Sequence, residues 1–277
     1  MLVRHLNCGT MRPPGGRLID GDPGLLRRAR MVCHCLLVET EDGLVLVDTG
    51  VGLPATDRPA EWLGKAFLLV VNPVLDRAES AVEQLKALGY RPEDVRHIVP
   101  THLDLDHAGG LADFPEVTVH VYQDELDAMR SPADAGERSR YRSAQFAHGP
   151  KFRPYHTSGE PWFGFDAVRP LDGLSEDILI VPLTGHSRGH AGVAVRDGDR
   201  WLLHAGDAYF HPGELAPEPH APAGVALFES LVQQNKHSRL HNQSRLRELA
   251  ATHGDEVTIF SAHAAADLRQ YPAPSHP

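Results

Sequence analysis

Cysteine is scarce in this chain, with three in 277 residues. An odd number cannot all pair internally, and none forms a Cys-x-x-Cys knuckle, so neither a disulfide framework nor a thiolate zinc finger organises the fold. Long apolar runs are missing as well. The run Ala66 to Val71 is stopped by Asn72-Pro73, well short of the roughly 18 residues that a membrane span needs. The stretch Met1 to Cys8 has no sustained apolar core of the secretory kind, so a cytoplasmic location and no membrane partner are expected. Positive charge is in deficit: Lys+Arg number 27 against 37 Asp+Glu, a formal charge of −10. Nucleic-acid binders carry a basic face, and no nucleic-acid partner is expected here. The local patch Arg138-Ser139-Arg140-Tyr141-Arg142, with Lys151 and Arg153, is short. It reads as a solvated lid surface or a contact to an anionic small substrate. No internal repeat is present, and nothing indicates an oligomeric state.

Histidine and aspartate, by contrast, are concentrated. The run His102-Leu103-Asp104-Leu105-Asp106-His107-Ala108-Gly109-Gly110 sets two imidazoles and two carboxylates directly after an apolar segment, a density that a folding core does not need. The preceding Val95 to Val99 reads as a strand, and Pro100 removes a ladder donor, so the polar groups fall at the strand's exit. If the run stays extended, His102, Asp104 and Asp106 share one side and His107 faces the other. A loop of this kind can feed two neighbouring metal ions. Further candidates close other apolar runs: Ile178 to Leu183 leads to Thr184-Gly185-His186, Trp201 to His204 to Ala205-Gly206-Asp207, and Val257 to Phe260 to Ser261-Ala262-His263. Leu44 to Val47 likewise leads to Asp48-Thr49-Gly50. A polar loop that merely caps turns would not gather partners from four more strand ends, whereas a rigid ligand site is built that way.

This set resembles the metallo-β-lactamase-fold hydrolases, whose pattern has a His-x-His-x-Asp-His run, a His in a Gly-His turn, an Asp after Gly and a late His. The match in order and strand context covers most of the chain. The resemblance implies two divalent metal ions, with His102 and His186 ligating one, Asp106, His107 and His263 the other, and Asp207 bridging. His190 is similar to the family's second Gly-His and would support the site, and Asp48 to a carboxylate near it. One position departs: the second imidazole of the run is Asp104. A carboxylate there adds charge and an oxygen donor, so Mn(II) or Fe(II) becomes competitive beside zinc. Asp104 is read as a direct ligand; the alternatives are a group that orients His102 or a water from behind, or the mark of a weak first site.

The chemistry implied is hydrolysis by an activated water, with Asp207 between the cations and Asp106 also able to pass a proton to the leaving group. Tyr209, two residues beyond Asp207, is a candidate donor to the substrate's carbonyl or leaving oxygen. Resemblance to the single-domain lactonases of this fold points to a small-molecule ester, most of all a lactone. A thioesterase of the glyoxalase-II type, a diiron redox or metal-binding module and a scaffold without activity are the alternatives.

The rest of the chain mixes strands and helices. Val32 to Val38 and Leu44 to Val47 form a predicted hairpin, with Cys33 and Cys35 on one buried face. An apolar stripe predicts a helix over Arg77 to Leu88. Val117 to Val121 and Gly192 to Val195 read as strands, Gln123 to Met129 as a helix, and Leu227 to Ala250 as helical stretches. Periodicity supports only a mixed α/β class; the resemblance implies a four-layered αββα sandwich in one domain spanning 1–277. Residues 53–74 and 131–177 show little regular pattern and are expected to wall the substrate pocket, with Trp62, Phe67, Phe146, Phe152, Tyr155, Trp162, Phe163 and Phe165 as aromatic surface or as anchors of these loops.

Overall fold

Along Met31–Thr40, Leu36 and Val38 point to one side of the backbone and Cys35 and Leu37 to the other, and all four are buried. A strand apolar on both faces must be covered twice, and this one sits inside a layered stack. The computed structural model describes residues 1–272. Its first six-stranded sheet runs, in spatial order, β1 (Leu2–Met11), β2 (Met31–Thr40), β3 (Gly43–Val47), β4 (Val95–Val99), β5 (Thr118–Tyr122) and β6 (Lys151–Tyr155). Pairing is antiparallel from β1 to β3 and parallel from β3 to β6. The second sheet comprises β7 (Glu160–Trp162), β8 (Phe165–Pro170), β9 (Ile178–Pro182), β10 (Ala191–Asp197), β11 (Arg200–His204) and β12 (Val257–Phe260). Its order is β12-β11-β10-β9-β8-β7, with β11 and β12 parallel and the other pairs antiparallel.

Three apolar clusters hold four layers together. Between the sheets, Leu36, Val38, Val45 and Val47 meet Ile178, Ile180, Val193 and Val195. On the outer face of the first sheet, Cys35, Leu37, Leu46 and Ile98 pack on helical residues such as Ala55, Leu85 and Leu126. On the outer face of the second, Leu179, Val181 and Leu203 pack on Leu246 and Leu249. This is the αββα sandwich.

The helices lie between strands. α1 (Arg17–Asp20) follows β1. α2 (Pro54–Asp57), α3 (Pro59–Trp62), α4 (Lys65–Val71) and α5 (Ala81–Ala87) connect β3 to β4, and α6 (Gln123–Arg130), α7 (Ala135–Arg140) and α8 (Ser143–Phe146) connect β5 to β6. α9 (Ala223–Val232) and α10 (Lys236–His253) separate β11 from β12, and α11 (Ala265–Leu268) follows β12. Among the described residues, no helix is long and apolar enough to cross a membrane.

Two expectations change. The helix predicted over Arg77 to Leu88 is broken at Ser80, which is extended and whose hydroxyl accepts from the Glu83 amide to start α5 afresh, a capping arrangement. The stretches without regular pattern are built: three short helices occupy 53–74, and two helices with β6, β7 and β8 occupy most of 131–177. Residues 273–277 lie outside the described part.

Candidate metal centre

Five strand ends deliver polar groups to one place. β3 releases Asp48, β4 His102, β9 His186, β11 Asp207 and β12 His263, each within four residues of the strand's last residue. Gly206 lets Asp207 turn inward: its φ is +54°, and a Cβ there would sit 2.6 Å from His190 Nε2, so a side chain is excluded on both counts. The His-Asp run does not stay extended. The Asp104 carbonyl accepts from the amides of His107 (3.0 Å) and Ala108 (2.9 Å), and this turn leaves Asp104 beside His102 while carrying Asp106 and His107 to a second group.

Asp207 divides its carboxylate between the two groups. Its Oδ2 lies 3.8 Å from His102 Nε2 and 3.4 Å from His186 Nε2. Its Oδ1 lies 3.3 Å from His107 Nε2 and 3.1 Å from His263 Nε2. Asp104 Oδ2 joins the first group at 3.4 Å from His102 Nε2 and 3.1 Å from His186 Nε2. Asp106 joins the second, 3.6 Å from His263 Nε2 and 4.0 Å from His107 Nε2. The donor atoms of His102, His186 and Asp207, and those of His107, Asp207 and His263, fall within 4.8 Å of one another.

The outer atoms of these rings are already committed. His107 Nδ1 donates to Asp48 Oδ2 (2.8 Å) and His263 Nδ1 to the Val32 carbonyl (2.8 Å). That leaves two Nε2 atoms facing each other at 3.1 Å, each with a lone pair in the neutral ring. His102 Nε2 and Asp207 Oδ1 are buried without a hydrogen-bond partner among the described residues. Unpaired buried acceptors are costly, and one cation in each group would satisfy them. The field agrees. Against the effect of burial, His263, His107 and His186 hold Asp207 well below the usual carboxylate range, so an anion faces both groups. The donor set therefore suits divalent cations.

Behind the donors sits a supporting layer. Asp48, held down at about 2 by His107 against its burial, also accepts from the Thr101 amide (2.7 Å). Thr101 Oγ1 lies 3.0 Å from His102 Nδ1. His190 is a pin: it accepts from the Asp207 amide (2.9 Å) and donates to the Leu183 carbonyl (2.9 Å). Glu125 was invisible in the sequence as a site residue. From α6 it accepts from the Leu103 amide (2.9 Å), the Tyr141 hydroxyl (3.2 Å), the Ser187 hydroxyl (2.6 Å) and the Gly189 amide (3.1 Å), tying the His102 loop to the His186 loop. Cys33, expected as a small buried residue, is buried, and its sulfur also lies among the Asp106 and His263 donors.

Tyr209 is corrected. Its hydroxyl donates to Asp267 Oδ2 (3.0 Å) inside the cluster packed against α10, because successive residues diverge here and Phe210 is the one that faces the cavity. The basic patch divides too. Arg138 is exposed, whereas Arg140 turns inward to Asp104 and His186.

A cavity of ≈ 760 Å³ opens over the donors, with Asp104, Asp106, His186, Asp207 and His263 in its lining. Its walls are apolar: Ile19 of α1, Phe67 and Val70 of α4, Phe210, and Val225 and Phe228 of α9. Of the aromatic residues expected there, only Phe67 contributes. Trp62 is buried and donates to the Gly109 carbonyl (3.0 Å), while Trp162, Phe163 and Phe165 pack on the second sheet's outer face.

The description "Metallo-beta-lactamase superfamily" matches residues 28–263. A probable metallo-hydrolase of Mycobacterium tuberculosis is 44% identical over 261 residues, covering 94% of this chain and 79% of that protein. An N-acyl homoserine lactonase of Rhizobium radiobacter is 37% identical over 165 residues, 58% of each chain. Among solved structures, a B. thuringiensis AiiA variant with N-decanoyl-L-homoserine bound at its active site superposes with a TM-score of 0.73 at 19% identity, over 98% of this chain and 96% of that one.

Proposed function

The chain belongs to the metallo-β-lactamase superfamily and is a metallo-hydrolase; from that premise we propose that it holds two divalent cations, zinc foremost, and opens lactones that carry an apolar chain. The observation that carries this reading is the division of Asp207 between two imidazole pairs at the floor of an apolar cavity. His102, His186 and Asp104 would hold one cation, His107, His263 and Asp106 the other, and Asp207 both.

Bound there, such cations would supply Lewis acidity to the scissile carbonyl and would lower the pKa of a water. The chain's own residues do the rest. Asp106 is the less enclosed carboxylate of the second group and lines the cavity, so it takes the proton of the attacking water and returns it to the departing alkoxide. Apolar walls receive the acyl chain and exclude competing water from its path. A homoserine-type head seated on the donors would direct its chain toward Ile19, Phe67, Val225 and Phe228.

The test is a panel of lactones of increasing chain length, thioesters, phosphodiesters and β-lactams, offered to zinc-loaded protein. Lactones should be cleaved, with kcat/KM rising with chain length. Cleavage of thioesters alone would favour the glyoxalase-II-type activity and overturn the lactonase reading.

A further inference from the structure

Arg140, at the last residue of α7, sends a buried side chain into the first group of donors, its exposure only 8%. Nη1 donates to Asp104 Oδ2 and lies 3.0 Å from His186 Nε2. Nη2 donates to the His186 carbonyl (2.7 Å) and to the Val232 carbonyl. The guanidinium thus engages the two atoms that also face His102 Nε2 and Asp207 Oδ2. An imidazole nitrogen has one lone pair: it accepts a hydrogen bond or ligates a cation, not both. Like charge adds to the conflict, since a guanidinium and a divalent ion would share one carboxylate oxygen. The second group differs. Among the described residues, no arginine or lysine hydrogen-bonds to or pairs with His107, His263 or Asp106.

We propose that Arg140 is a built-in competitor for the first cation, so that the His107–His263 site fills first and more tightly and the His102–His186 site fills only as the guanidinium withdraws from His186 Nε2. The inference rests on the two-cation reading above. It joins two features that looked separate in the sequence: the carboxylate at 104, where the family's common pattern has an imidazole, and the inward arginine 36 residues later. Asp104 is the acid that makes a buried guanidinium tolerable here, and with an imidazole at 104 the arginine would lose its charged partner. The carbonyls of His186 and Val232 give the displaced group a perch on the cavity wall. Arg140 is therefore a positioning residue that acts through Asp104 and His186, and its effect is on metal affinity.

The experiment is a titration of the metal-free full chain with Zn(II) against a chromophoric chelator, repeated with Co(II) so that the visible spectrum reports the coordination of each step. The wild type should fill in two steps at least about tenfold apart, and Arg140→Met should tighten the weaker step by roughly 10–100-fold, the range over which groups behind a ligand act. Arg140→Gln, which removes the positive charge and leaves every donor in place, should also narrow the gap, and it serves if Arg140→Met does not fold. Equal steps in the wild type, or a weaker step that Arg140→Met leaves unchanged or loosens, would overturn the competition while leaving two cations standing. A second cation absent from the wild type and both variants would remove the two-cation reading itself.

Discussion

Asp207 serves both halves of the centre, and its substitution separates charge from shape. Asp207→Asn keeps the volume and loses the anion that His263, His107 and His186 stabilise. Cation content, read by elemental analysis after dialysis, should fall together with turnover by more than about 100-fold, beyond the range for groups behind a ligand; retained metal and activity would remove Asp207 from the centre. Asp48 acts one layer out, through the 2.8 Å bond that fixes the tautomer of His107. Asp48→Asn should weaken cation binding by roughly 10–100-fold, chiefly in the second site, and an unchanged zinc affinity would show that the bond is idle. The donors were legible as residues because ligand types recur at strand exits. Arg140 was not: it sits among other arginines, and the carboxylate it seeks is remote in sequence. Tyr209 misled for the opposite reason, since nearness to Asp207 along the chain says nothing of the side on which its hydroxyl emerges.

Among the elements, α9 forms much of the cavity wall, and its buried side is anchored by a carboxylate. Glu229 accepts from Gln243 (3.0 Å) and pairs with Arg239 (3.1 Å). Burial and the neighbouring Glu214 lift it from its ordinary 4.5 to about 8. Between those values the folded chain binds the proton more strongly than the unfolded one, so stability falls as pH rises through that window and the loss is complete above about 8. Glu229→Gln cannot ionise, and its melting temperature should decline less than the wild type's between pH 5 and pH 8; parallel profiles would refute this account of the anchor. Elements with a continuous apolar run, such as β2 and β9, were readable. β1 was not, because His5 and Thr10 are buried polar groups with partners supplied by other elements. Nor was β6, an edge strand with three exposed residues, Pro154 among them, the kind of strand that tolerates proline.

The molecule as a whole places two sheets so that loops from residue 48 to residue 263 meet above one edge. A mixed α/β class follows from periodicity; the sandwich follows only when Leu36 and Ile178 are known to face each other across the sheets. Long-range contact of that kind has no local signature, whereas the ligand pattern does, and this is why the centre was legible before the fold that builds it. Diffraction from crystals grown in excess zinc, with anomalous scattering recorded on either side of the zinc edge, tests the central claim most directly. The account predicts two peaks, one among His102, His186 and Asp207 and one among His107, His263 and Asp207, and a peak at only one of these places, or at neither, contradicts it.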